Sequence, residues 1–172
     1  ELGDLWCEDS CSDHEVTLGL CRLQAAVRQL DIDQAPVSSA RRCIALLAPQ
    51  PGELHLLGAA LHADLAWQAG WGAQVEFPDT DDALQALIAG TWFDLLDLSL
   101  SAALRREHWL ARMASTITRV RRASLNPALV VVVSGRLFQE DLDAGQSVGA
   151  DWSCRSAGHF GWFLTRTAAE RA

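Results

Sequence analysis

The chain has 172 residues, 49% of them hydrophobic, with 14 basic side chains against 22 acidic ones, a net charge of −8 and a pI near 5.0. This is enough sequence to bury one full domain plus an appendage, while the acidic balance argues against direct contact with nucleic-acid phosphates. No apolar run approaches the roughly 20 residues of a membrane span, and the N-terminus lacks a charged region followed by an apolar one, so a cytoplasmic protein or a piece of one is expected. All 14 basic residues are arginine, which removes a P-loop lysine, a Schiff-base lysine and the lysine of phospho-acceptor receiver domains.

In chain order, the polar start carries Cys7, Cys11 and His14 at C-x3-C-x2-H spacing, a half-site for zinc or a redox pair that falls short of four ligands. Residues 15–30 place Val16, Leu20, Leu23, Val27 and Leu30 at helical spacing behind a Ser12-x-x-Glu15 capping box. The pattern predicts the last helix of a small bundle, with more of that bundle upstream. Residues 31–40, rich in Asp, Pro and Ser, predict a linker, giving an N-terminal segment 1–40 and a domain 41–172.

Beyond the linker, strand and helix signals alternate. Strands are predicted at 42–48, 73–77, 95–99, 129–134 and 152–155, with the β-branched run 130–133 reading as a buried parallel strand. Helices are predicted at 55–69, 81–89, 105–124 and 137–144, with one more near the C-terminus; Gly70, Gly90 and Asn126-Pro127 fall where helices should stop. Five β-α units imply an α/β fold with a doubly wound parallel sheet in the flavodoxin-like order 2-1-3-4-5, whose ligand crevice lies above strands 1 and 3. Three loops meet there: residues 52–58, Ser99-Leu100-Ser101, and Ser134-Gly135-Arg136. None is a G-x-G-x-x-G or Walker motif. His55, in the first loop, is the candidate metal ligand, and Glu53 is placed to hold its other ring nitrogen.

These elements resemble the cobalamin-binding domain family, which carries D-x-H-x-x-G after strand 1, S-x-L after strand 3 and Gly-Gly after strand 4. Here they read Glu53-Leu54-His55-Leu56-Leu57-Gly58, Ser99-Leu100-Ser101 and Ser134-Gly135, followed by Gly149-Ala150-Asp151 before strand 5. The N-terminal residues Leu5-Trp6, Cys11-Ser12 and 15–24 are similar to the stretch preceding the sensor domain of the bacterial photosynthesis antirepressors (the AerR/PpaA/AppA family). That sensor is known as SCHIC where it contains haem instead of cobalamin.

The resemblance implies a non-enzymatic tetrapyrrole sensor, binding cobalamin or haem, that relieves a PpsR-type transcriptional repressor. It implies His55 as axial ligand oriented by Glu53, Gly58 as a close-approach position, and Ser99, with Ser101, Ser134 and Gly135 around it, as neighbours of a base-off cobalamin tail. Glu53 is longer than the family Asp, Asp97 stands where a small residue is common, and Ser134 replaces the first Gly of the pair. A side chain at Ser134 narrows the tail slot, and Asp97 places a charge near it; the resemblance also implies a light-sensing or helical domain upstream. The competing expectations are a cobalamin carrier of a methyltransferase or mutase, and a pigment-free docking scaffold.

Other residues enter with smaller roles. His159, after strand 5, is the second candidate ligand; His62 is read as packed and His108 as solvated. Trp6 is a candidate either for a cap over the pigment or for packing under the bundle. The remaining six tryptophans exceed what one core hides, which predicts exposed interaction surfaces. Arg105, Arg106, Arg112, Arg119, Arg121 and Arg122 form a basic stripe on one helix, either solvated or facing an acidic partner.

Overall fold

The computed structural model describes residues 43–53, 56–101, 106–141 and 143–171, together with Gly19. The chain falls into two compact units, Glu1–Ala35 and Pro36–Ala172, and the elements below belong to the second. The expected N-terminal helix, the Cys7, Cys11 and His14 half-site, Trp6, Arg105 and His55 itself lie outside the described residues.

The strands are β1 (Ile44–Pro49), β2 (Gly72–Val75), β3 (Leu95–Ser99), β4 (Val130–Ser134) and β5 (Trp152–Ser153). They form one sheet in the order β2-β1-β3-β4-β5, every pair parallel. The helices are α1 (Leu57–Gln68), α2 (Asp81–Gly90), α3 (Arg106–Ala123), α4 (Arg136–Glu140), α5 (Ala144–Ser147) and α6 (Ala157–Arg171). No helix among the described residues is long and apolar enough to cross a membrane.

Strand alternation sorts the core into two layers. Leu46, Ala48, Leu96, Leu98, Leu100, Val131 and Val133 project to one side, where Leu84 and Ile88 of α2 and Met113, Ile117 and Val120 of α3 cover them. Ala45, Leu47, Leu95, Val132 and Cys154 project to the other, under Ala59, Ala63 and Ala66 of α1 and Phe160 and Leu164 of α6. The small alanines bring α1 close to the sheet. Trp71 closes this layer by donating its indole N–H to the Leu164 carbonyl at 3.1 Å.

The helix boundaries have local causes. Thr80 caps α2 by accepting the Ala83 N–H at 3.2 Å, and Asp81 and Asp82 put negative charge in its first turn. After α3, Asn126 donates to the Phe93 carbonyl at 2.9 Å and accepts from Ala128 N–H at 2.9 Å, which holds the turn into β4. One helix was expected over 137–144; two short ones form instead. Asp141 interrupts it by accepting from the Asp143 and Ala144 backbone N–H groups at 3.0 and 3.2 Å, satisfying the start of α5.

Candidate functional site

Parallel strands point all their carboxyl ends one way, and a reversal of strand order between β1 and β3 opens a crevice there. In this protein the loops leaving β1, β3 and β4 are tied to one another by backbone bonds. Gln50 N–H donates to Ser99 O at 2.8 Å, and Leu100 N–H donates to Ser134 O at 2.8 Å. The Ser101 N–H donates to Glu53 Oε2 at 2.8 Å. Glu53, nine-tenths buried, therefore staples the first loop to the second.

Gln50 anchors the same loop from below. Its fully buried side chain donates to Thr116 Oγ1 at 2.8 Å, and Thr116 donates to Asp81 at 2.8 Å. Neither side chain carries a motif that sequence reading could register; a glutamine closing an apolar strand was the sole signal. Gly135 sits at φ +102°, and a Cβ added there would lie 2.3 Å from the Leu100 carbonyl oxygen. Only glycine lets the β4 loop press against the β3 loop this closely.

On the α1/α6 side of this edge the structure gathers polar groups. Ser99 and Ser134 are register neighbours on β3 and β4, they are 3% and 1% exposed, and neither hydroxyl has a hydrogen-bond partner among the described residues. One layer deeper on the same side is Asp97, fully buried in β3. Its Oδ2 meets His62 Nδ1 of α1 at 2.7 Å, while its Oδ1 has no partner among the described residues. The His62 ring stacks on Phe160 of α6 at 4.2 Å and 11°. Cys154, beside them on the same face, donates its S–H to the Ser156 carbonyl at 3.0 Å. Burial, with the Asp97 carboxylate adding to it, pushes the Cys154 thiol up to about 12.

The residues expected at a ligand thus fall into three places. Glu53, Ser99, Ser101, Ser134 and Gly135 converge at the crevice, and the loop that carries His55 begins there. Gly58 is exposed on α1 and a Cβ there would meet nothing within 4 Å, so the approach of α1 to the sheet does not depend on it. His159 sits at the far edge of the sheet, its ring centroid 4.2 Å from that of Trp152 with the two planes tilted by 42°. It borders a cavity of about 460 Å³ with Trp162, Arg155, Ser153 and Gln146.

Packing and exposure also sort the remaining candidates. His62 is packed, as its spacing implied, but it is packed onto a carboxylate. Three arginines of the stripe are engaged within the fold, while the side chains of Arg105 and Arg106 lie outside those described: Arg119 bonds Asp82 and Gln85, Arg121 bonds Asp151 and two backbone carbonyls, and Arg112 lies over Trp109 near Asp81. Among the described residues, Trp67, Trp92 and Trp162 are the tryptophans left at 41–54% exposure. Among the described residues no group of three or more His, Cys, Asp or Glu side chains could hold a metal ion.

No family model matches the chain. A curated relative, described as an uncharacterized 20.5 kDa protein in the bchF-crtJ intergenic region of Rhodobacter capsulatus, is 25% identical over 153 residues, covering 88% of this chain and 77% of its own. Among solved structures, a cobalamin-binding protein of Desulfitobacterium hafniense DCB-2 superposes with a TM-score of 0.63 at 19% identity, over 96% of this chain and 75% of that one. The monomethylamine corrinoid protein of Methanosarcina barkeri superposes with a TM-score of 0.65 at 15% identity, over 99% and 76%. The fold is therefore that of cobalamin-binding domains.

Proposed function

We propose that this chain is a corrinoid-responsive sensor module, without catalytic activity of its own, in a bacterial antirepressor acting on a PpsR-type transcriptional repressor. The observation that carries the corrinoid part is the pair of buried hydroxyls of Ser99 and Ser134 at the crevice of this fold, which have no hydrogen-bond partner among the described residues. A buried hydroxyl without a partner loses part of its solvation for nothing, and the neutral amide substituents around a corrin ring supply the missing partners. His55, on the loop stapled by Glu53, is the residue we assign to hold the metal. A bound corrinoid would be held by His55 and would supply a cobalt centre able to exchange ligands.

The regulatory part rests on the N-terminal resemblance and on a relative encoded between bchF and crtJ. A sensor of this kind works only if the ligand makes different contacts in the two states of the domain, because that difference is the whole coupling free energy. The staple between Glu53 and Ser101 is the described element best placed to change, since it links the ligand loop to β3.

Visible absorption titrations with hydroxocobalamin and with haemin, in separate samples, test the ligand class. A shifted corrin band that is lost in His55→Ala supports the assignment; a shifted Soret band alone moves it to haem, and no shift with either leaves a protein-docking scaffold. Equal affinity for the repressor with and without corrinoid overturns the switch. The second reading, a carrier module for a methyltransferase or mutase, is favoured by the likeness to the M. barkeri corrinoid protein. Co-purification with a substrate-binding barrel subunit would establish it in place of the sensor.

A further inference from the structure

We infer that His62 and Asp97 exclude the nucleotide base of a corrinoid, so that the domain selects its ligand by the ring and not by the tail; this rests on the corrinoid assignment above. A tail entering from the crevice on the α1/α6 side passes Ser99 and Ser134 first. In the next layer the sheet presents Leu47, Asp97 and Val132, which are register neighbours across β1, β3 and β4. From that layer Asp97 reaches His62 of α1 at 2.7 Å, and the His62 ring lies flat against Phe160 of α6 at 4.2 Å. The three side chains span the space between the sheet and both helices: Asp97 and Phe160 are 0% exposed and His62 7%.

A planar base and this assembly are alternatives for the same volume, because protein interiors hold no spare space of that size. Admitting the base means separating His62 from Asp97. The carboxylate already has one oxygen without a partner among the described residues, and separation would bury it with none. Dimethylbenzimidazole, whose outer edge carries only methyl groups, supplies no donor in exchange. The polar substituents of the ring stop at the serine layer, where the hydroxyls await them. The occupants of the deeper layer, His62 and Asp97, are thus specificity-determining residues that act by filling.

The experiment compares hydroxocobalamin with diaquocobinamide, which has the same ring and no nucleotide, by absorption titration of the full chain. The wild-type protein is expected to bind the two within about threefold of each other. Asp97→Gly combined with His62→Val, checked for folding by circular dichroism, is expected to shift the ratio toward hydroxocobalamin by about tenfold or more. Asp97→Asn alone keeps the volume filled and should leave the ratio unchanged, which preserves the test if the double variant does not fold. Wild-type preference for hydroxocobalamin of about tenfold or more overturns this inference and leaves corrinoid binding standing. A folded double variant with an unchanged ratio overturns it equally, whereas binding of neither corrinoid overturns the corrinoid assignment itself.

Discussion

Replacing Gly135 by alanine is the sharpest test of how the crevice is held. The residue sits at φ +102° and ψ 175°, a region that is essentially reserved for glycine and costs any other residue about 1–3 kcal/mol. The added Cβ would also stand 2.3 Å from Leu100 O and 2.7 Å from Leu100 C, both backbone atoms that no rotamer change can move aside. Forcing a rigid contact apart adds about 1–3 kcal/mol, so the expected loss is about 2–6 kcal/mol against a total that is commonly about 5–15. Gly149→Ala is the control: its φ of +79° carries a backbone penalty, yet nothing lies within 4 Å of the new Cβ. Its cost of about 1–2 kcal/mol is offset by the smaller entropy of the unfolded chain, about 0.4–1 kcal/mol. Equilibrium urea denaturation followed by circular dichroism reads both. Losses that agree within about 0.5 kcal/mol would refute the claim that close approach of the β3 and β4 loops, and not backbone conformation alone, demands glycine at 135.

Three further outcomes follow from single side chains. Glu53→Ala removes the acceptor of the Ser101 N–H and should cost about 1.5–3 kcal/mol in urea, with faster amide exchange at Ser101; Glu53→Gln, which keeps an acceptor, should cost less. Thr80→Ala removes the cap of α2 and should lower stability by about 1 kcal/mol, measured the same way. Cys154, with its thiol held up to about 12, should resist alkylation at pH 8 in the folded protein by peptide mass mapping. Because the folded thiol keeps its proton where the unfolded one loses it, this group's stabilising contribution is complete below about pH 9 and declines toward pH 12; Cys154→Ala should flatten that part of the pH profile of stability.

The sheet was readable because its strands are written in the plainest code: the run 130–133 is β-branched and three of its four residues are fully buried, and Gly70 ends α1 at φ +82°. The split of the helix expected at 137–144 was hidden because Asp141 acts through local side-chain to backbone bonds that leave helical periodicity untouched. At the crevice, the residue types of Ser99, Ser134 and Gly135 announced themselves, whereas the bonds that lock the loops run from backbone to backbone and have no residue signature. Asp97 was half legible. A carboxylate inside Leu95-Leu96-Asp97-Leu98 demands a partner, but sequence gives no distance between Asp97 and a histidine 35 positions earlier on a helix of alanines and leucines.

That pair is also poorly explained by stability. Its surroundings are Leu47, Leu95, Val132, Phe160 and Leu164, a layer in which an apolar pair of similar volume would pack without desolvation. Replacing both partners of a buried hydrogen bond by apolar residues of the same shape is often nearly neutral or stabilising, and here Asp97 adds a second oxygen with no partner among the described residues. A fold that needed only a core at this position would have no use for a carboxylate and an imidazole. Their place directly beneath two serines whose hydroxyls have no partner among the described residues makes the more economical account one in which the deep layer is occupied in order to decide what enters the shallow one. The conflict between local packing and residue choice then marks the site, as such conflicts generally do.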